Sequence, residues 1–544
     1  MHLSGKIQNS VSVSEVPNER EGGSETGVFQ PFLAFPRMAL ALRGFPTSVI
    51  PPARTRQKGR LMGRFADHPM AAWCLGAIAL LIAALGAKPY AGSWNDGSRL
   101  AAVESLLDRG TLAIDDSAFC KTPQHLLDSG HLPYSADRAD LLQYGTYDKL
   151  FVRGHFHSDK PAVVSILMAG MYRPLMWLGM PSPGERPDIF CFLMTLLTSG
   201  LSYAVAVGCL WTLGRQVGLE PRWRLLWLAA FALSTYAPTY TQHVNSHAMQ
   251  LGIVALMCVL LNREAASGQM FALGTLAGLG FNLDFGSGPP LVAFTFAFVL
   301  WKTRRFRSVL AFSIAVLPWV AGGIGINYAI GGVWKPINMY PEHFQFPGTP
   351  FTEENLTGFF RHEPLNQFLY AAGMLFGKQG FLNHNMPLLL CVVAGWSVLR
   401  GSKTPHPQPL SPAERGEESC AGLLMLLIWC GATWLMYAVL SNNMGGGCCS
   451  VRWFVPFLAP GFWLLALILR DRPERRSEFL VLAVGGAVLA SLMWWKGPWT
   501  MRMVPFLWPI VGVTLIAWGV VAVSRRRTPS QTQILVPLRR SLAA

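Results

Sequence analysis

The chain has 544 residues, 51% hydrophobic and only 14% charged, with 45 Lys and Arg against 30 Asp and Glu for a formal net charge of +15. A soluble fold of this size cannot hide that much apolar surface behind so few charges, whereas a bundle of lipid-facing helices needs that balance. The basic excess falls in short clusters between apolar runs, as loop anchors do, and this patterning excludes nucleic acid as a partner.

Residues 1–65 are polar and turn basic at Arg54, Arg56, Lys58, Arg60 and Arg64. With no apolar core ahead of a cleavage site, they predict a disordered cytoplasmic leader, or a true start at Met62. A transmembrane domain is expected over 66–525. Its apolar runs lie near Ala71–Ala87, Phe190–Leu213, Leu225–Tyr240, His247–Leu261, Phe271–Leu283, Leu291–Trp301, Val309–Tyr328, Pro387–Leu399, Leu423–Leu440, Phe454–Leu469, Phe479–Trp495 and Val504–Val523. These predict an all-α polytopic membrane protein of about twelve spans (roughly 11–13), several needing flanking residues to reach the length a bilayer requires.

One further run, residues 162–180, sets the topology by parity. Left uncrossed, it puts the clusters at Arg215/Arg222/Arg224, Lys302/Arg304/Arg305/Arg307, Arg400/Lys403, Arg470/Arg472/Arg475/Arg476 and Arg525/Arg526/Arg527 on the cytoplasmic side with both termini. Arg173 and Pro174 in its middle agree with an interfacial or re-entrant helix. The polar segments are then a first extracytoplasmic loop over 88–188 with interfacial helices, a second over 329–386, a disordered Pro-rich cytoplasmic insertion over 401–420 and a cytoplasmic tail over 526–544.

The first loop holds most of the chemistry. It carries Trp94-Asn95-Asp96-Gly97-Ser98-Arg99 soon after the first span and Ser158-Asp159-Lys160-Pro161-Ala162 at its far end. Ionised groups at a bilayer edge are costly to desolvate and are kept for chemistry or headgroup binding more often than for packing. In this placement the chain resembles the GT-C superfamily of membrane glycosyltransferases, such as lipid A aminoarabinose transferases and protein O-mannosyltransferases. It departs from them in Asp-Gly where Asp-Glu is commoner and in one Pro after the Lys where two are usual. Thr241 to His247 stands where other members carry a second carboxylate. Asn442 to Trp453 is similar to the Gly-Gly-x-x-x-x-Arg-Trp/Tyr element of the RgtA/B/C/D-like branch.

That resemblance implies a GT-C-like bundle taking a sugar from a polyprenyl-phosphate donor at the extracytoplasmic face of a bacterial inner membrane. The acceptor would be a lipid, a glycan or a protein of the cell envelope. Such a transfer passes through an oxocarbenium-like state and needs a carboxylate for the acceptor proton and cations for the departing phosphate. Asp96 is expected as the base, with Arg99, Lys160, His247 and Arg452 on the lipid phosphate and Asn95, Asp159, His243 and Asp284 in support.

Each assignment has a plainer competitor. Asp96 after Asn95 also suits the cap of a helix running from Gly97 to Arg109, and Lys160 suits snorkelling at the interface. Asp115 and Asp116 read as a solvated turn, and Asp148 and Lys149 as a pair with each other. His243 and His247, four apart, would share one helical face, which leaves a divalent metal open, though no third ligand is evident. Asp284 interrupts two apolar runs among Gly and Pro residues and suits the satisfying of broken-helix backbone. Gly445-Gly446-Gly447 lacks the context of a nucleotide loop but lets backbone approach a phosphate. Asn355-Leu356-Thr357 matches a glycan sequon. Of ten Cys, most lie in apolar runs as small hydrophobes, and a bridge from Cys120 to Cys448 or Cys449 is open. The competing classes are a transporter or lipid flippase, which would gather polar residues at mid-depth in repeated halves, and a non-catalytic scaffold.

Overall fold

The computed structural model describes residues 68, 70–263, 266–352, 356, 363–399, 414–500 and 503–527. The expected leader, residues 401–413 of the expected insertion, Asn355 and the tail beyond Arg527 lie outside the described residues. Helix Glu414–Leu440 begins inside the segment expected as an insertion.

Each apolar run forms a helix: Ala71–Gly86, Pro187–Gln216 with a π turn at Leu196–Gly200, Pro221–Leu233, Ser246–Leu261, Ser267–Leu283, Gly288–Thr303, Phe306–Gly331, Leu389–Leu399, Glu414–Leu440, Leu458–Asp471, Arg476–Lys496 and Leu507–Arg527. Six helices among the described residues are long and apolar enough to cross a membrane, or seven if Pro364–His384 and Met386–Leu399, bent by 107°, make one span. Ala71–Gly86, Ala162–Trp177 and Ser246–Leu261 are apolar but only 16 residues each. At about 1.5 Å per residue each alone falls short of the ~30 Å hydrocarbon core. On Phe306–Gly331, Ile314 and Leu317 are more than half exposed, as on a face turned to lipid.

The polar interval after the first helix builds a core of its own. Helix Trp94–Asp108 lies buried along most of its length and packs on Ala162–Trp177, with Leu100, Val103, Leu107, Phe119, Tyr134, Met168 and Tyr172 between them. Between these helices the chain is not all helical. Lys149–Val152 and His155–Ser158 pair as an antiparallel hairpin, Lys149 opposite Ser158 and Val152 opposite His155. The all-α expectation is corrected here, and the cause is local: Arg153 (φ 52°) and Gly154 (φ 85°) close a two-residue turn whose twist suits a hairpin. The second strand leads directly into Ser158-Asp159-Lys160, so the hairpin delivers the far end of the loop back onto helix Trp94–Asp108.

Candidate functional site

The first wall of the site is the start of helix Trp94–Asp108. Ser93 is its N-cap and Asp96 its third residue, and together they close a capping box. Asp96 accepts from Gly92 N at 2.7 Å, Ser93 N at 2.8 Å and Ser93 Oγ at 2.6 Å, while Asn95 enters through its backbone N–H, 3.2 Å from Ser93 Oγ. The helix therefore starts three residues earlier than expected. His243 Nδ1 stands 3.4 Å from Asp96 Oδ2 and 3.2 Å from Tyr90 O. Burial lowers the His243 pKa while Asp96 opposes that. Both neighbours of Nδ1 are acceptors, which assigns the proton of the neutral ring to that nitrogen. Asp96 is wholly buried, and each of its oxygens already holds a donor.

One turn along, Arg99 is the reverse case. The residue is 1% exposed, and its Nε and Nη1 have no hydrogen-bond partner among the described residues. Burial drives its pKa down to about 10; Asp159 opposes the fall, Arg452 adds to it, and Asp284 and Asp96 oppose it. Arg452 comes from the glycine run. Met444, Gly445 and Gly446 all take positive φ (52°, 89° and 85°), folding the chain back so that a side chain at Gly445 would stand 3.3 Å from Arg452 Cγ. The Arg452 guanidinium lies 5.4 Å from the Trp499 ring, and its Nε also lacks a partner.

His247 completes this set. Asn245 caps helix Ser246–Leu261 by accepting from His247 N at 2.9 Å and Ala248 N at 3.1 Å. The helix therefore starts after His243, so the two histidines do not share a helical face. His243 turns to Asp96, whereas His247 has Asp284, Arg452, Arg99 and Lys160 as charged neighbours and an unpartnered Nδ1. Among the described residues, no three of His, Cys, Asp and Glu side chains come together as a metal site would need. All ten cysteines are free.

The hairpin supplies the floor. Lys160 Nζ bonds Asp159 Oδ2 at 2.7 Å and Asp148 Oδ2 at 2.8 Å, and Ser98 Oγ donates to Asp159 Oδ1 at 3.0 Å. Asp148 thus pairs with Lys160 and not with Lys149, whose Nζ sits 4.7 Å over the Phe156 ring. Burial raises the Asp159 pKa, with Lys160 opposing. Asp159 and Lys160 line a cleft whose other walls include Phe281, Phe285, Ile324 and Trp334.

No protein-family model matches the chain, and no curated protein does. Among solved structures it is similar to ArnT from Cupriavidus metallidurans bound to undecaprenyl phosphate, at 13% identity over 84% of this chain and 76% of that one, with a TM-score of 0.43. It is also similar to the apo state of that protein, at 13% identity over 86% and 76%, TM-score 0.41. A likeness of that size names no substrate for this chain.

Asp284 closes the last helix of Ser267–Leu283 and holds the break before Gly288–Thr303. It accepts from Ser287 N at 2.8 Å and Ser287 Oγ at 2.6 Å, the backbone-satisfying part expected for it, and also from Tyr437 OH. Tyr437, Ser98 and Trp499 were not singled out from the sequence, and Asp148 only as a partner of Lys149. Ser98 and Asp148 sit 61 and 12 residues from partners that only the hairpin brings near. The one readable signal was the Arg-Gly turn between alternating apolar residues. Glu104 was also missed: it is buried, takes the Ser117 hydroxyl and Ala118 N, and has its pKa raised to about 7 by burial.

Proposed function

We propose that this chain is a membrane glycosyltransferase of the GT-C kind, of about twelve spans, transferring a sugar from a polyprenyl-phosphate donor to an envelope lipid, glycan or protein. The reaction takes place at the extracytoplasmic face of the inner membrane. The carrying observation is the buried guanidinium of Arg99, whose Nε and Nη1 meet no acceptor among the described residues, with the half-buried Arg452 beside it, whose Nε likewise meets none. An uncompensated buried cation costs several kcal/mol, on the order expected for desolvating one ion, and a phosphate is the ligand whose oxygens answer a guanidinium fork. His247 adds a third donor on the same side. The adjoining cleft has a polar floor at Ser158–Lys160 and a wall from Phe306–Gly331, which suits a headgroup with a greasy chain.

In the transfer, the acceptor hydroxyl oxygen attacks the anomeric carbon and the anomeric C–O bond to phosphate breaks. The phosphate leaves with the electron pair into the Arg99, Arg452 and His247 donors. The acceptor proton goes to a carboxylate. Both Asp96 and Asp159 have their oxygens hydrogen-bonded, but Asp159 lines the cleft, which Asp96 does not, and its raised pKa brings it nearer the working pH, so Asp159 is the better base. Lys160 and Asp148 hold Asp159 in place, and Asp96 with Asn95 and His243 holds the helix that presents Arg99.

The test is sugar transfer by the purified chain in proteoliposomes supplied with polyprenyl-phosphate-linked sugars. Transfer is expected, with an acid limb in the rate profile above the ordinary carboxylate range that disappears, along with most activity, in Asp159→Asn. A chain that neither binds polyprenyl phosphate nor transfers sugar overturns the reading. An Asp159→Asn variant at full rate, with Asp96→Asn inactive but folded, returns the base to Asp96.

A further inference from the structure

Tyr437 lies buried near the end of helix Glu414–Leu440. Its hydroxyl donates to the Asp284 carboxylate, 2.9 Å from Oδ2 and 3.0 Å from Oδ1. Its ring lies flat on Trp453, with centroids 4.1 Å apart and planes 4° from parallel. A side chain at Gly286 would run into the Tyr437 ring, so glycine is what lets the 284–288 break approach this helix. The same helix grips the break a second time, through Trp429 Nε1 donating to Ser287 O at 2.9 Å.

Trp453 follows Arg452 at the start of the 3-10 turn Arg452–Phe457. The chain of contact therefore runs from Asp284 through the Tyr437 hydroxyl and ring to Trp453 and the backbone of Arg452. Asp284 is also a charged neighbour of Arg99 and His247. Two segments about 160 residues apart are thus joined beside the unpartnered donors by one tyrosine that is polar at one end and stacked at the other.

We infer that Tyr437, anchored by Asp284, is the positioning residue that sets where Arg452 meets an anionic lipid phosphate. This rests on the reading of Arg452 as a phosphate ligand. A stacked ring restrains Trp453 in the direction normal to its plane, and the bond from the hydroxyl to a buried carboxylate stops the ring from sliding. Trp499 and the Gly445 turn restrain the Arg452 side chain itself, so the Tyr437 contact governs its backbone.

The experiment measures undecaprenyl phosphate affinity, by native mass spectrometry in lipid nanodiscs, for the full chain and for Tyr437→Phe, Arg452→Ala and the double variant. Tyr437→Phe keeps the ring and its stack. It is expected to weaken binding by about tenfold, the loss for one charge-assisted hydrogen bond acting on position, while the melting temperature stays near wild type. The double variant is expected to bind no worse than Arg452→Ala alone, because the tyrosine acts only through the arginine. Wild-type affinity in Tyr437→Phe, or losses that add in the double variant, overturn the positioning role while leaving the phosphate site standing. Failure of the wild-type chain to bind the lipid overturns both.

Discussion

Asp96 and Arg99 stand one helical turn apart, both buried, and their surroundings are opposite. Asp96 is answered by the N–H groups of Gly92 and Ser93, the Ser93 hydroxyl and His243. Arg99 has two donor atoms that nothing among the described residues answers. A buried charge whose partners are all in the protein does structural work; one left without partners is held for something that arrives. Both were singled out from the sequence; on the proposed reading Asp96 is the more structural of the two and Arg99 the one that meets the ligand.

The largest expected effect breaks the second half of that comparison. Arg99→Ala should weaken polyprenyl-phosphate binding by about 100-fold, the scale of a lost bond to a charged group in a site without water, yet leave the melting temperature unchanged or higher. A large fall in melting temperature would mean that Arg99 is answered within the fold. Asp96→Ala sharpens the first half. It strips acceptors from two backbone N–H groups and the N-cap hydroxyl, and should cost about 1–3 kcal/mol in denaturation of detergent-solubilised protein. An unchanged denaturation midpoint would argue that the capping box contributes nothing.

Glu104, in the same helix, gives the smallest and most pH-specific effect. Its folded pKa is raised from 4.5 to about 7, so the folded state binds the proton more tightly than the unfolded chain. Its contribution to stability is present below 4.5 and is lost as pH rises to about 7. Wild-type melting temperature should therefore fall by a few degrees more than that of Glu104→Gln between pH 5 and pH 8, read by differential scanning fluorimetry. Parallel profiles would show that Glu104 titrates normally.

The helices were legible because apolar runs and short basic clusters state their own boundaries: each expected run holds a helix, though the one expected to Tyr240 ends at Leu233 and the one expected from Leu423 starts at Glu414. The start of helix Trp94–Asp108 was misjudged because Asn95-Asp96 drew attention from Ser93, although Ser-x-x-Asp is itself a capping signal. The spacing of His243 and His247 misled because periodicity holds only inside a helix, and Asn245 begins the helix between them. The tie of Asp148 to Lys160 depends on a hairpin register, and the link of Tyr437 to Trp453 on a tertiary approach. Neither has a spacing to read.

The central claim is that a lipid phosphate supplies the missing partners of Arg99 and Arg452. It is tested most directly by an experimental structure of the chain in nanodiscs with undecaprenyl phosphate. The phosphate is expected within hydrogen-bond distance of both guanidiniums and His247, with the polyprenyl chain leaving past Phe306–Gly331. Density for the lipid phosphate elsewhere, with Arg99 and Arg452 bonded to protein carboxylates, would contradict it.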